Sequence, residues 1–165
     1  MLWSLGQGHA SFFERRYAVD LWNQGVFLDV GANKGLHSLF LSRYVTVIHA
    51  FEPYEPVLDK FRRLIETNKI TNIVIHPVGL GDKNEMLSFY EPPESNEGTG
   101  SFVKEFKIDN KPYESLQIVI GDHRLKQAGV SSVELIKIDV EGYEKSVLRG
   151  LTETLAVNRP SLFLK

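Results

Sequence analysis

The segment DVGANKG, residues 29–35, is the part of the sequence best suited to hold a ligand. Gly31 and Gly35 allow the backbone to turn sharply and to approach a ligand closely. A helix that begins here would direct unpaired N–H groups at a negative charge, so the pattern predicts a site for a carboxylate or a phosphate. A tight turn between a strand and a helix would use the same glycines without any ligand.

Glu52 is the second candidate, 17 residues after Gly35 and directly after an apolar run. In a doubly wound sheet the crevice opens at the carboxyl ends of the strands, where an acidic side chain accepts hydrogen bonds from ribose hydroxyls. The combination of loop and acid therefore predicts a bound nucleoside. The alternative is a solvated carboxylate that caps the following helix.

The glycine pattern distinguishes two nucleoside cofactors. A dinucleotide fingerprint reads G-x-G-x-x-G and places a pyrophosphate on the helix N-terminus. In this loop Asn33 occupies the position of the second glycine, which obstructs the approach of a pyrophosphate. Asp29 would repel phosphates but suits the ammonium of a methionine moiety. The sequence therefore favours S-adenosylmethionine over a nicotinamide dinucleotide.

The segment IKIDVEGYE, residues 136–144, carries the second set of charged side chains. Asp139 and Glu141 follow an apolar strand, at the same carboxyl edge of the sheet as the glycine loop. Both are candidate proton acceptors for a hydroxyl substrate, and His37, at the start of the helix after the loop, is the third. The alternatives are a helix cap for Glu141 and an ordinary helix residue for His37. Lys137, buried among apolar residues, predicts an ion pair with a nearby carboxylate.

The elements that must position these residues are strands and helices in alternation, which predicts an α/β fold with a doubly wound, mostly parallel sheet and helices on both faces. Strands are predicted at 26–30, 45–51, 72–76, 133–140 and 161–164, with shorter ones at 86–90 and 116–120. Helices are predicted at 11–23, 34–44, 56–67, 123–128 and 141–151, and a long loop at 92–100.

Composition limits the classes of function. The 165 residues fit one domain, with an N-terminal helical region at 1–24 and a cofactor-binding core at 25–165. A net charge of -2 argues against nucleic-acid binding through a broad basic face. The longest uncharged stretch, 1–13, is too short to span a membrane and lacks the basic start of a signal peptide, so we expect a cytoplasmic protein. Cysteine is absent and the five histidines lack ligand spacing, so we predict no metal site.

Five segments in order, DVGANKG, HAFEPYEPVLDKF, HPVGLGDK, IKIDVEGYEKSVLRGL and NRPSLFL, together resemble the FkbM-type S-adenosylmethionine-dependent methyltransferases over about residues 25–164. The resemblance implies a Rossmann-like class I methyltransferase fold with strand order 3-2-1-4-5-7-6. It places the methionyl end of the cofactor against Asp29, Gly31, Ala32, Asn33 and Gly35, the ribose on Glu52, the adenine near Pro53, Val78 and Gly79, and Asp139 near the amino group or the reaction centre.

The activity that this resemblance implies is methyl transfer, which we expect to reach a hydroxyl of a small molecule or a glycan. Strands 6 and 7 of the family have no counterpart after 161–164, so that strand would be an open edge. We therefore expect self-association through it, or a poorly stable fragment. Two other hypotheses stay open: a nicotinamide-dependent oxidoreductase with the same crossovers, and a methyltransferase-like module that binds without turnover.

Overall fold

A computed structural model describes residues 25–90 and 112–165 of the chain. Two sequence predictions lie outside these residues: the helix at 11–23 and the long loop at 92–100. The division of the chain into a helical region at 1–24 and a core at 25–165 stays a prediction for the same reason.

The main sheet contains five parallel strands in the spatial order β3-β2-β1-β7-β8. They are β1 (Val26–Val30), β2 (Val47–Phe51), β3 (Ile73–His76), β7 (Leu135–Ile138) and β8 (Ser161–Leu164). This order equals the 3-2-1-4-5 part of the predicted topology, and the bounds of β1 and β8 are those that the sequence predicted. The doubly wound α/β fold is confirmed.

A smaller sheet of three strands adjoins it, in the order β4-β6-β5. Its strands are β4 (Gly79–Gly81), β5 (Glu85–Tyr90) and β6 (Pro112–Ile120), with β6 parallel to β4 and antiparallel to β5. Sequence reasoning found β5 and β6 but not β4. A three-residue strand with two glycines has no apolar alternation to reveal it. Close packing explains the glycines, because a Cβ on Gly79 or Gly81 would lie 2.5 or 2.7 Å from the side chain of Ile118.

Five helices accompany the sheets in the described ranges. They are α1 (Leu36–Leu41), α2 (Glu55–Asn68), α3 (Gly121–Gln127), α4 (Glu144–Gly150) and α5 (Thr152–Asn158). The predicted helices at 34–44 and 141–151 are longer than α1 and α4. Positive φ angles explain the late starts, because Gly35 precedes α1 at 74° while Glu141 and Gly142 precede α4 at 48° and 96°. Leu151 then interrupts the helical path and separates α4 from α5.

The core lies on both faces of the main sheet. On one face Phe27 and Ile48 pack with Phe61 of α2, and on the other Leu28 and Phe51 pack in the cluster that α3 and α4 cover. Because side chains alternate along a strand, Asp29, Glu52 and Lys137 belong to the face of α1 and α2. The carboxyl ends of the neighbouring strands β3, β2, β1 and β7 meet at one edge, where the candidate residues lie.

Strand β8 is the last strand of the main sheet within the described residues, and two of its side chains are exposed: Leu162 at 39% and Leu164 at 50%. Self-association through this strand stays a prediction, and light scattering would test it. In the described ranges no helix combines the length and the apolar character that a bilayer crossing requires.

Candidate functional site

The turn between β1 and α1 uses its glycines for packing within the protein. Gly31 and Gly35 both have φ of 74°. A Cβ on Gly31 would collide with the backbone oxygen of Asp139, and a Cβ on Gly35 would collide with the ring of Phe61. Both glycines are therefore required by the fold itself, before any ligand is considered.

The backbone N–H groups of the same turn are hydrogen-bonded within the protein. Each of the five backbone N–H groups of residues 31–35 has an acceptor in the protein. The acceptors are the Phe51 carbonyl for Gly31 (3.0 Å) and Ala32 (3.1 Å), Glu52 Oε2 for Asn33 (3.0 Å), Asn33 Oδ1 for Lys34 (2.7 Å) and the Ala32 carbonyl for Gly35 (2.9 Å). These five N–H groups are therefore not free for a ligand, and binding of a carboxylate or a phosphate by the N–H groups of the helix that follows stays a prediction.

Glu52 lies directly after β2, as predicted, and it is buried rather than solvated. Its Oε2 accepts from the Asn33 N–H and its Oε1 from the Tyr54 N–H, both at 3.0 Å. Tyr54 is the residue before α2, so the carboxylate connects the glycine turn to the start of that helix. The helix-capping alternative thus describes one of its two contacts, without the solvation that it assumed.

Burial raises the pKa of Glu52 to about 7, because removing a carboxylate from water disfavours its charged form. The two backbone N–H groups and the positive charge of Lys137 lower this pKa, and the negative charge of Asp29 raises it. Glu52 therefore changes its charge near neutral pH, which is unusual for a carboxyl group and typical of functional sites.

Asp29 and Lys137 form a buried ion pair beneath the turn. Lys137 Nζ lies 3.0 Å from Asp29 Oδ1 and 2.9 Å from the Gly31 carbonyl oxygen, while Ser38 Oγ donates to Asp29 Oδ2 at 2.7 Å. Asp29 is 0% exposed and Lys137 is 1% exposed. The predicted ion pair of Lys137 is confirmed, and it holds the Gly31 carbonyl in place. Both carboxylate oxygens of Asp29 already accept hydrogen bonds within the protein. The predicted contact of Asp29 with a cofactor ammonium stays a prediction.

Asp139 follows β7 at the same edge, and its N–H donates to the Val30 carbonyl at 3.1 Å. Its carboxylate is 22% exposed and lies 3.9 Å from Lys137 Nζ and 3.4 Å from Lys165 Nζ. The position is the one that sequence reasoning predicted, next to Gly31 across the strand pair. Its role toward a cofactor or a substrate stays a prediction.

Glu141 and His37 are the other two predicted proton acceptors. Glu141 has φ of 48° and lies before Tyr143, the N-cap of α4, whose helix has no side-chain cap. The capping alternative for Glu141 is therefore not supported. His37 is the second residue of α1 and is half-buried. Neither geometry assigns a proton-transfer role.

The residues predicted near an adenine are brought together. A Cβ on Gly79 would lie 3.6 Å from Cγ of Pro53, and Val78 is buried beside it. The carbonyl of His76 accepts from the N–H of Glu52 at 3.1 Å and from that of Val78 at 2.8 Å. Sequence reasoning missed His76, whose only signal was a polar residue ending an apolar strand.

Carboxylates dominate this edge of the sheet. Asp29, Glu52 and Asp139 lie here with two lysines: Lys137 is paired with Asp29, and Lys165 lies 3.4 Å from Asp139. Glu141 follows Asp139 by two residues. The edge therefore offers hydrogen-bond acceptors and negative charge, which suit a ligand with hydroxyl donors and positive charge. No group of three histidine, cysteine or acidic residues with the geometry of a metal site occurs in the described residues.

The profile of the Methyltransferase FkbM domain matches residues 29–164. The chain belongs to the FkbM methyltransferase family. It is 31% identical over 132 residues to hexuronic acid methyltransferase AglP of Haloferax volcanii, covering 79% of this chain and 51% of that protein. The chain thus spans about half the length of this relative.

Solved structures show the same fold. The methyltransferase FkbM of Methylobacillus flagellatus superposes with a TM-score of 0.60 at 19% identity, over 86% of this chain and 32% of that chain. A Streptococcus mutans protein solved in complex with S-adenosylhomocysteine (SAH) superposes with a TM-score of 0.53 at 14% identity, over 88% of this chain and 64% of that chain. At these identities the likeness concerns the fold alone.

Proposed function

We propose that this FkbM family member is a methyltransferase that uses S-adenosylmethionine and methylates a hydroxyl group of a small molecule or a glycan. The observation that carries the proposal is the chemistry of the sheet edge. The backbone N–H groups of the glycine turn are hydrogen-bonded within the protein, and the polar side chains nearby are mainly carboxylates. Family membership and the carboxylate-rich edge support the same cofactor.

The donor set fits this cofactor better than a dinucleotide. S-adenosylmethionine carries one carboxylate beside a sulfonium, an ammonium and ribose hydroxyls, so most of its polar groups are cations or donors. A dinucleotide instead carries a doubly charged pyrophosphate, which needs backbone N–H groups that residues 31–35 have already paired. Glu52 would accept from the ribose hydroxyls. The turn residues Asp29, Gly31, Ala32, Asn33 and Gly35 would surround the methionyl part, and Pro53, Val78 and Gly79 the adenine.

When bound, the cofactor supplies an electrophilic methyl group already activated by the positive charge of its sulfur. The protein's contribution is position and electrostatics, and orienting two reactants well is worth about 7 to 11 kcal/mol. Asp139, Glu141 and His37 are the proposed proton acceptors for a hydroxyl substrate. Asp139 is favoured because its partly exposed carboxylate lies at the same edge as the turn.

The acceptor class rests on one similarity. AglP of Haloferax volcanii is named a hexuronic acid methyltransferase, which supports a glycan or a sugar acid among the acceptors to be tried first. Because this chain matches about half of the length of AglP, the identity of the methyl acceptor stays part of the proposal.

Calorimetric titration at pH 8 tests the cofactor. We expect SAH to bind and NAD not to bind, and Glu52→Gln to weaken SAH binding. NAD binding without SAH binding would refute the proposal in favour of an oxidoreductase. Turnover is then assayed with S-adenosylmethionine and hydroxylated acceptors, including hexuronic acids and neutral sugars. Binding without turnover of any acceptor would instead support a non-catalytic module.

A further inference from the structure

Three side chains form a hydrogen-bonded chain behind the proposed nucleoside pocket. Nη2 of Arg124, on α3, lies 2.9 Å from Nδ1 of His76, on β3. Nε2 of His76 lies 2.9 Å from Nδ1 of His49, on β2. His49 is 7% exposed and His76 is 2% exposed, so this chain of polar groups runs through the apolar face of the sheet.

The donor of each bond follows from the chemistry of its partners. A guanidinium only donates, so Nδ1 of His76 must accept from Arg124. The neutral His76 ring therefore carries its proton on Nε2 and donates it to Nδ1 of His49. His49 in turn carries its proton on Nε2. A second proton on His76 would place an N–H donor opposite Arg124, and one on His49 would place an N–H donor opposite His76, so a hydrogen bond would be lost in either case.

Burial favours the same neutral state. Burial, the positive charge of Arg124 and the neighbouring His49 together lower the pKa of His76 to about 4. Burial and Arg124 also lower the pKa of His49. Both rings are thus neutral at physiological pH, and the direction of the hydrogen bonds is the same in every molecule.

His76 touches the backbone on both sides of the proposed pocket. Its carbonyl accepts from the N–H groups of Glu52 and Val78, and its ring lies against Phe51 with centroids 4.4 Å apart and planes 10° apart. The carbonyl of Phe51 holds Gly31 and Ala32 of the glycine turn. One residue therefore supports the ribose-side and the adenine-side segments together.

We propose that His76 is a positioning residue for the cofactor, and that the chain Arg124, His76 and His49 fixes its ring so that the segments of Glu52 and Val78 keep the spacing that a nucleoside requires. The inference rests on the proposed function, because it concerns the same pocket. It adds a role for Arg124, which lies on α3 and outside the residues that would touch the cofactor.

The test compares variants of Arg124 by SAH titration at pH 8. Arg124→Met removes the donor to His76, and Arg124→Lys keeps a donor. Lys126→Met is the matched control, since it removes one positive charge from the exposed side of the same helix. We expect Arg124→Met to weaken SAH binding about three- to tenfold, the effect of one net hydrogen bond, with partial recovery in Arg124→Lys and no change in Lys126→Met.

Nitrogen NMR of the histidine rings supplies a readout that does not depend on binding or on the folding of a variant. In the wild-type protein His76 should show a bare Nδ1 and a protonated Nε2, without titrating above pH 5. A His76 with Nδ1 protonated, or equal SAH affinity in wild type and Arg124→Met, would overturn the inference. Absence of SAH binding in the wild type would instead refute the proposed function, with the NMR result unaffected.

Discussion

The pH dependence of cofactor binding offers a specific test of the site, because the pKa of Glu52 is raised to about 7. With a pKa of about 7, Glu52 is about 9% ionised at pH 6 and about 91% ionised at pH 8. If the ribose hydroxyls need the ionised carboxylate as acceptor, the affinity for SAH should rise about tenfold between these pH values. This ratio equals about 1.4 kcal/mol of binding free energy.

Calorimetry in two buffers with different ionisation enthalpies measures the accompanying proton. At pH 7 binding to wild type should release about half a proton, since half of the Glu52 carboxyls must ionise. Glu52→Gln is the control: it cannot ionise, so both the proton release and the rise in affinity between pH 6 and pH 8 should vanish. At pH 8 its affinity should also be lower by about 1 to 3 kcal/mol. An SAH affinity that is constant from pH 6 to pH 8 in wild type would refute the reasoning.

Folding stability should show the opposite trend. The pKa of Glu52 rises from 4.5 to about 7 on folding, so the folded protein binds more protons than the unfolded chain between these values. Its contribution to stability is complete below pH 4.5 and is lost as the pH rises through 7, by about 3 kcal/mol in total. Urea denaturation at several pH values should show this slope in wild type and a shallower slope in Glu52→Gln. Equal slopes in the two proteins would contradict the raised pKa.

Three further predictions concern the framework of the site. Lys137→Met should lower the free energy of unfolding in urea by about 3 to 5 kcal/mol, because the buried charge of Asp29 loses its partner, whereas Lys165→Met, at an exposed pair, should cost at most about 1 kcal/mol. Similar costs for both lysines would contradict the burial argument. Gly31→Ala should lower the melting temperature without any cofactor, since its Cβ meets a backbone oxygen at a φ of 74°. Asp122→Ala should lower the free energy of unfolding by about 1 to 2 kcal/mol, because the Asp122 carboxylate accepts hydrogen bonds from the N–H groups of Glu153 and Thr154 in the first turn of α5. An unchanged melting temperature in Gly31→Ala or Asp122→Ala would count against these contacts.

The sequence alone determined the alternation of elements, the edge at which the site lies and the family. Val26–Val30 is a short apolar run between two glycines, and Ser161–Leu164 is one that follows Pro160, so their limits depend on local pattern. The position of Glu52 directly after β2 and the pairing of Lys137 with a carboxylate followed from similar reasoning, because a strand's end and a buried charge both have strong local requirements.

Only the tertiary structure decided which donors of the glycine turn are used. The acceptors of Gly31, Ala32 and Asn33 are Phe51 and Glu52, which lie about twenty residues away in sequence and come close only because β2 pairs with β1. The chain from Arg124 to His49 likewise joins three elements that no local spacing connects. Residue types and periodicity determine what each segment forms, whereas the pairing of polar groups depends on which segments meet, and that is set by packing of the whole fold.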